Sequence, residues 1–326
     1  MTAGPPGPAD PPLGGNEITE FPLFTFLYSD LHAHMIDLPV TVLALGWMLS
    51  LLLARGRWKN KWVMAASFAF GGLVIGTMRP TNTWDFPVYL ALGMIATAYT
   101  LFRYSDVDPD HTPFNLPAVI VRGLYALGGV ALLGLFFVLM YRPFTEWYAQ
   151  GYNAVAPWQG AKTPNTSYLS HWGLFLFVIV SWMAWETRDW LASTPVSSLK
   201  KLKPFALFIE ISLALLVAAL IYLQLFKDVT IVWIALPLAF WAAVLILRPG
   251  IGDAKRAVLF MIGSGLFLTV LVEVIVLVGD LGRMNTVFKF YLQVWVLFAI
   301  SAGASLGWLL PEMEKWRPRW RLAWEI

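Results

Sequence analysis

The feature that most limits how this chain can fold is a series of long apolar runs separated by short polar connections. A helix needs about 20 apolar residues to cross the roughly 30 Å hydrocarbon core of a bilayer. Each run is expected to be helical, because lipid offers no hydrogen-bonding partner to an exposed peptide group. The runs predict nine transmembrane helices, at 35–53, 62–78, 86–102, 118–140, 172–185, 204–226, 230–247, 257–278 and 287–310. The predicted fold is an all-α, multi-pass integral membrane protein, which we place in the lipid bilayer of the cell membrane.

The composition excludes the main soluble alternatives. Only 13% of the residues are charged and 58% are hydrophobic, whereas a soluble domain carries about 25% charged residues. The basic residues stand in short clusters between apolar runs, which is typical of membrane topology and argues against a nucleic-acid partner. Because the chain has no cysteine, disulfides, thiolate chemistry and zinc–sulfur sites are excluded as well.

The distribution of basic residues predicts the orientation. With the N-terminus outside, seventeen of the 23 Lys and Arg residues fall on the inner side, as the positive-inside rule requires. We therefore expect the N-terminus out and the C-terminus in. Three regions follow: a disordered Pro/Gly-rich tail at 1–16, a transmembrane domain at 17–310 and a basic cytoplasmic tail at 311–326.

In this orientation, four polar segments that are far apart in sequence reach the same membrane face. They comprise residues 29–34, 78–85, 141–172 and 279–289. The inner loops, in contrast, have the composition of ordinary charged connectors. Since ionisable groups kept at membrane depth usually serve a site, we expect a functional site at the outer face.

Three carboxylates fall inside the apolar runs themselves. Asp37 lies just inside the first span, Glu210 lies near the inner end of the sixth, and Glu273 lies about two turns below the outer end of the eighth. Each has to be paired, protonated or directed at a cavity. Of the three, Glu273 is the one that we expect to reach the outer site.

The segment Asp30-Leu-His32-Ala-His34 is the sharpest local pattern. In an extended chain the three polar side chains point the same way, and in a helix Asp30 and His34 share a face. Either geometry offers a carboxylate and imidazoles to a divalent metal, or an acid/base pair. The alternative is interfacial capping, with Asp30 as the N-cap of the first span.

The turn between the second and third spans carries Arg79, Asn82, Trp84 and Asp85. Asn82 and Asp85 are suited to bonding hydroxyl groups, Arg79 to holding a phosphate, and Trp84 to stacking on a sugar ring. A plain helix–turn–helix, with Thr83 or Asp85 capping the third span, is an equally good interpretation.

The connection before the last span contains Asp280, Arg283 and Asn285, with Lys289 one turn into the helix. These residues suit an anion clamp at a helix N-terminus. The alternative is an ion pair between Asp280 and Arg283, with Lys289 extending to the interface.

Three blocks of sequence carry a family resemblance. The blocks EITEFPLFTFLYSDLHAHM, TNTWDFPVYL and RMNTVFKFYLQVW resemble the YYY-type family of polytopic prokaryotic membrane proteins, in the family order. The resemblance covers about residues 17–310, and the family is distantly similar to C-type membrane glycosyltransferases. It implies an enzyme that moves a sugar from a polyprenyl-phosphate donor at the extracytoplasmic face.

The resemblance also implies roles for individual residues. The candidates for a catalytic base, or for the ligands of a divalent metal cofactor, are Asp30, His32, His34 and Asp85. The candidates for phosphate contacts are Arg79, Arg283 and Lys289, those for sugar contacts are Asn82, Trp84 and Asn285, and Glu273 and Asp280 complete the substrate-binding set.

The resemblance is to the C-terminal portion of the family only. Full-length members resembling this chain have a further N-terminal membrane half, with an acidic first loop and the tri-tyrosine motif that names the family. We therefore expect either that the chain is a fragment or the product of a split gene, or that it is a shortened subunit for which a separate partner chain supplies that half. The alternatives to an enzyme are a noncatalytic membrane subunit and a transporter.

Overall fold

The helices of the protein follow the predicted apolar runs. The computed structural model describes residue 19 and residues 22–28, 31–148 and 154–326. The helices are α1 (Pro22–Tyr28), α2 (Ala33–Leu53), α3 (Lys61–Thr81), α4 (Asp85–Tyr104), α5 (Ala118–Trp147), α6 (Asn165–Ser193), α7 (Ala206–Lys227), α8 (Val232–Ile246), α9 (Asp253–Val274), α10 (Met284–Met313) and α11 (Pro318–Glu325). Short 3₁₀ helices lie at Pro113–Asn115 and Val196–Phe205. The proposed tail at 1–16 lies outside the described residues.

The prediction of an all-α, multi-pass membrane protein is confirmed. Eight helices within the described residues are long and apolar enough to cross a membrane, and α8 is a shorter apolar helix of 15 residues at the seventh predicted span. The predicted spans 62–78, 86–102 and 172–185 are too short. The helices at these positions, α3, α4 and α6, are 21, 20 and 29 residues long in total. Their extra residues are mostly polar, and a hydropathy pattern does not register polar helix ends.

The prediction that the run 257–278 is wholly helical is wrong at its end. Helix α9 stops at Val274, and Ile275–Leu277 form a strand, β2, that pairs antiparallel with β1 (Val155–Pro157). The backbone N–H of Trp158 extends this ladder to the carbonyl of Val274 at 2.8 Å. Non-helical backbone is tolerated here because the loop after α5 satisfies its hydrogen bonds.

The described residues form two compact units. The N-terminal unit consists of residues up to 148 together with 249–258, and contains α1 to α5. Its helices approach closely at glycines: a Cβ added to Gly72 of α3 would lie 3.0 Å from the backbone nitrogen of Phe137 in α5. Small residues permit this packing in membranes, where the hydrophobic effect does not drive helices together.

The C-terminal unit consists of residues 154–248 and 259–326. Its core lies between α6 and α10, where Trp172, Trp182 and Phe298 are fully buried. Aromatic rings continue along this seam, and the rings of Trp182 and Trp308 are 5.1 Å apart. Helix α7 is exposed over nearly its whole length, as expected for a lipid-facing helix.

Candidate functional site

Two carboxylates lie together in the N-terminal unit. Asp37 is in the second turn of α2 and Asp85 is the first residue of α4, and they are 0% and 2% exposed. The Asp37 and Asp85 carboxyl groups and the fully buried hydroxyl of Tyr89, one turn along α4, lie close enough to influence one another electrostatically, with Thr41 beside them. Neither Asp37 oxygen nor the Tyr89 hydroxyl makes a hydrogen bond within the described residues. We call Asp37, Thr41, Asp85 and Tyr89 the aspartate cluster.

The aspartate cluster is costly for a purely structural element. Two adjacent carboxylates repel one another when both are charged, and burial removes the water that would screen them. The pair must therefore share a proton or hold a cation. Both conditions are typical of carboxylates that move protons or bind ligands, and rare in passive packing.

The turn that precedes α4 holds the other residues expected beside Asp85. Asn82 is buried and terminates α3, and its carbonyl accepts the backbone N–H of Asp85 at 2.9 Å. The Thr83 hydroxyl donates back to the carbonyl of Arg79 at 3.0 Å, and the N-cap of α4 is Trp84, without a side-chain capping bond. The Asp85 side chain therefore faces Asp37. Thr83, one of the two residues that the alternative interpretation names as the cap, does not cap α4.

Arg79 lies at the end of α3, before this turn. Its guanidinium is half-exposed and donates to the hydroxyl of Thr145 in α5 at 2.7 Å. A neutral hydroxyl does not cancel the positive charge, so Arg79 keeps the charge that a phosphate contact needs.

The histidine segment lies at the start of α2. The rings of His32 and His34 are 5.3 Å apart, and the Nε2 of His34 is 2.8 Å from the hydroxyl of Thr25. His32, not Asp30, takes the N-cap position of α2. Asp30 lies outside the described residues, so the proposed ligand set of Asp30, His32 and His34 stays a prediction. Among the residues that the structure describes, no three His, Cys, Asp or Glu side chains are arranged to hold a metal ion.

A second polar cluster lies in the C-terminal unit, around Glu273 at the end of α9. Its carboxylate is fully buried and pairs with Arg283 at 2.8 Å. It also accepts the backbone N–H of Thr163 at 3.0 Å and the Thr163 hydroxyl at 2.5 Å. Arg283 in turn donates to the carbonyl of Val272 at 3.1 Å. Arg283 is therefore bonded to Glu273, and the alternative ion pair with Asp280 stays a prediction.

Lys162 joins this cluster from the loop between β1 and α6. Its ammonium donates to the carbonyls of Glu273, at 2.8 Å, and Trp158, at 3.1 Å. Partial burial lowers the pKa of Lys162 below its ordinary value, with nearby Glu273 acting against that shift. The Trp158 ring lies beneath both cations, at 6.0 Å from Lys162 and 5.7 Å from Arg283.

Asp280 has a local structural role. One carboxylate oxygen accepts the backbone and side-chain N–H groups of Asn285 at 3.1 and 3.0 Å. The other accepts the backbone N–H and hydroxyl of Thr286, both at 2.7 Å. These bonds satisfy the open donors at the start of α10. Lys289 lies half-buried one turn further along.

Sequence reasoning missed several residues that complete these clusters. It noted Asp37 but assigned it no site, and it did not single out Tyr89, Lys162 or Thr163. Of these residues, only Asp37 could have been recognised from the sequence, because it is a carboxylate within an apolar run. The roles assigned to Asp30, His32, His34, Arg79, Asn82, Trp84, Asp85, Glu273, Asp280, Arg283, Asn285 and Lys289 stay predictions.

The chain matches a known protein family. A family model described as uncharacterized membrane protein (DUF2298) matches residues 15–298 of the chain. No curated protein and no solved structure matches it.

Proposed function

We propose a function for this chain from the premise that it belongs to the DUF2298 family of uncharacterized membrane proteins. The proposed function is transfer of a sugar from a polyprenyl-phosphate donor at the extracytoplasmic face, either by this chain alone or together with a partner chain. The resemblance to C-type membrane glycosyltransferases suggests the reaction. The observation that carries the proposal is the buried pair of Asp37 and Asp85.

Sugar transfer needs a group that takes the proton of the acceptor hydroxyl. In the reaction the hydroxyl oxygen bonds to the anomeric carbon of the sugar while the bond from that carbon to the phosphate oxygen breaks. The hydroxyl proton passes to a carboxylate, and the polyprenyl phosphate leaves with the bonding electrons. A buried carboxylate makes a good base because its charged form is poorly solvated. We assign this role to Asp85. Asp37 keeps the Asp85 side chain in position and influences the charge of its carboxylate.

The neighbouring turn supplies the remaining contacts. Arg79 is placed to hold the phosphate of the donor. Trp84 and Asn82, on the same turn, are placed to stack on the sugar and to bond its hydroxyls. Two carboxylates are also oxygen ligands of the kind that Mg²⁺ prefers, so transfer is to be measured both with Mg²⁺ and with a chelator.

The test uses the full chain in proteoliposomes. The substrates are polyprenyl monophosphate hexoses and pentoses labelled in the sugar, and the measurement is loss of label from the organic phase. D85N and D37N are expected to slow transfer by about 100-fold or more, while R79Q raises the KM for the donor. The matched control is D108N, because Asp108 is exposed in the loop after α4 and loses the same charge.

Three results would overturn the proposal. Turnover by D85N and D37N at the rate of D108N removes the aspartate cluster from the reaction. Flux of a solute through the proteoliposomes, with no sugar transfer, favours a transporter, and absence of both activities favours a noncatalytic subunit.

A further inference from the structure

The ends of α2 and α4 in the N-terminal unit carry a cluster of arginines around one tyrosine. The guanidinium groups of Arg55 and Arg103 are each 5.5 Å from the centre of the Tyr104 ring. The two cations are therefore at most twice that distance apart. Each guanidinium is attracted to the negative face of the Tyr104 ring, but the two guanidinium groups repel one another.

The carboxylate of Asp253 lies in this cluster, and other groups already bond to it. Asp253 accepts the hydroxyls of Tyr99, at 3.2 Å, and of Tyr104. It also pairs with Arg256 at 3.2 Å, while Arg103 is further away at 3.9 Å. Asp253 is therefore engaged mainly by Arg256 and the two tyrosines, and it lies at the limit of an ion pair with Arg103.

The two outer arginines remain open to solvent or lipid. Arg103 is 47% exposed, whereas Arg256 is only 12% exposed, and Arg55 is exposed. Arg55 also has a φ of +54°, which is a left-handed conformation that favours glycine. The backbone bond from Gly56 to the carbonyl of Leu51, at 3.2 Å, holds this turn. A non-glycine residue kept in such a conformation suggests that its side chain has a role.

The position of the cluster points to the membrane surface. Tyr104 is the last residue of α4, and Asp85 of the aspartate cluster is the first. A helix of 20 residues is about 30 Å long, which is the thickness of the hydrocarbon core. The arginines therefore lie at the membrane surface opposite the aspartate cluster, at the depth of lipid headgroups.

We propose that Arg55 and Arg103, gathered on Tyr104, bind the phosphate of an anionic lipid headgroup. A phosphate between the two guanidiniums relieves their repulsion and accepts charge-assisted hydrogen bonds from both. Basic sites between transmembrane helices recognise anionic headgroups in this way. The inference does not depend on the proposed sugar transfer.

The experiment measures binding of phosphatidylglycerol, phosphatidylcholine or inorganic phosphate to the delipidated full chain in nonionic micelles. Phosphatidylglycerol is expected to bind more tightly than phosphatidylcholine. R55Q and R103Q are each expected to weaken that binding about fivefold, and the double variant roughly 25-fold. R55K/R103K keeps both charges but replaces each planar, two-pronged guanidinium group by an ammonium group. An affinity for phosphatidylglycerol between those of the starting protein and the double glutamine variant is therefore expected.

The matched control is R57Q/R142Q, which removes the same net charge. Arg57 lies in the turn that holds Arg55, and Arg142 pairs with Glu146 in α5. Normal affinity in this control supports a specific site, and a loss equal to that of R55Q/R103Q overturns it. Equal affinity for phosphatidylcholine also overturns it. Binding of inorganic phosphate without binding of phosphatidylglycerol overturns the lipid assignment and identifies a free phosphate compound as the ligand.

Discussion

Replacing Arg283 by methionine should destabilise the protein far more than breaking a comparable ion pair at the surface. The pair of Arg283 and Glu273 has an N–O distance of 2.8 Å, with the side chains 3% and 0% exposed. R283M leaves the Glu273 carboxylate buried beside Thr163 with its countercharge removed. Loss of one partner of a buried pair costs about 3–5 kcal/mol, because the remaining charge stays desolvated.

The surface pair of Arg142 and Glu146 is the matched control. Its N–O distance is 2.6 Å, but its side chains are 70% and 50% exposed. Because water solvates the charge left behind, R142M should cost no more than about 1 kcal/mol. The two ion pairs have similar N–O distances but differ in how deeply they are buried. Comparing R283M with R142M therefore measures the free-energy cost of leaving a charge without water.

The double variant E273Q/R283M separates desolvation from packing. It removes both charges, and the glutamine amide keeps one oxygen to accept the backbone N–H of Thr163 while its NH₂ group can donate to the Thr163 hydroxyl. The double variant should therefore recover more than half of the stability that R283M loses. The assay is unfolding of each purified variant in mixed micelles by increasing SDS, followed by tryptophan fluorescence.

Two outcomes refute this reasoning. A free energy of unfolding for R283M within about 1 kcal/mol of the starting protein means that Glu273 is solvated or re-paired. A double variant no more stable than R283M means that lost packing, and not the buried charge, sets the cost.

Two further predictions concern a buried lysine and a glycine contact. Burial lowers the pKa of Lys162 from 10.5, so between the lowered value and 10.5 the unfolded chain binds more protons and stability rises with pH. K162M should abolish that rise, measured as the thermal unfolding temperature at a series of pH values below 10.5, and an identical pH dependence in both proteins contradicts the assignment. G72A should cost about 1–3 kcal/mol, because its Cβ would meet the backbone of Phe137 at 3.0 Å. The control G128A has nothing within 4 Å and should gain about 0.5–1 kcal/mol, and equal stability of the two variants in the SDS assay contradicts the packing argument.

The spans were predictable because hydropathy is a local property of the chain. All nine predicted spans correspond to helices, since a bilayer leaves a long apolar segment no alternative to helix. The errors are at the ends, where polar residues continue a helix, as in α6, or where a distant loop replaces helical bonds by a strand, as at Ile275–Leu277. Both depend on what surrounds the segment and not on its own apolar content.

The candidate site was predictable in part. The turn carrying Asn82 and Asp85 was identified because its polar residues interrupt two apolar runs, and Asp37 stood out for the same reason. That Asp37 and Asp85 meet depends on how α2 packs against α4. The bonds of Asp280 to Asn285 and Thr286 could not be read from spacing, because they depend on how the loop before α10 folds.

The amino-acid sequence alone establishes that this chain is a helical membrane protein, because the free energy of burying apolar residues in lipid is decided segment by segment. Which charges pair is decided only when the segments pack. Glu273 bonds to Thr163, 110 residues earlier in the chain, and Tyr99 reaches Asp253, 154 residues later. A buried charge takes whichever partner the packed helices bring within about 3 Å, and separation along the chain has little influence on that choice.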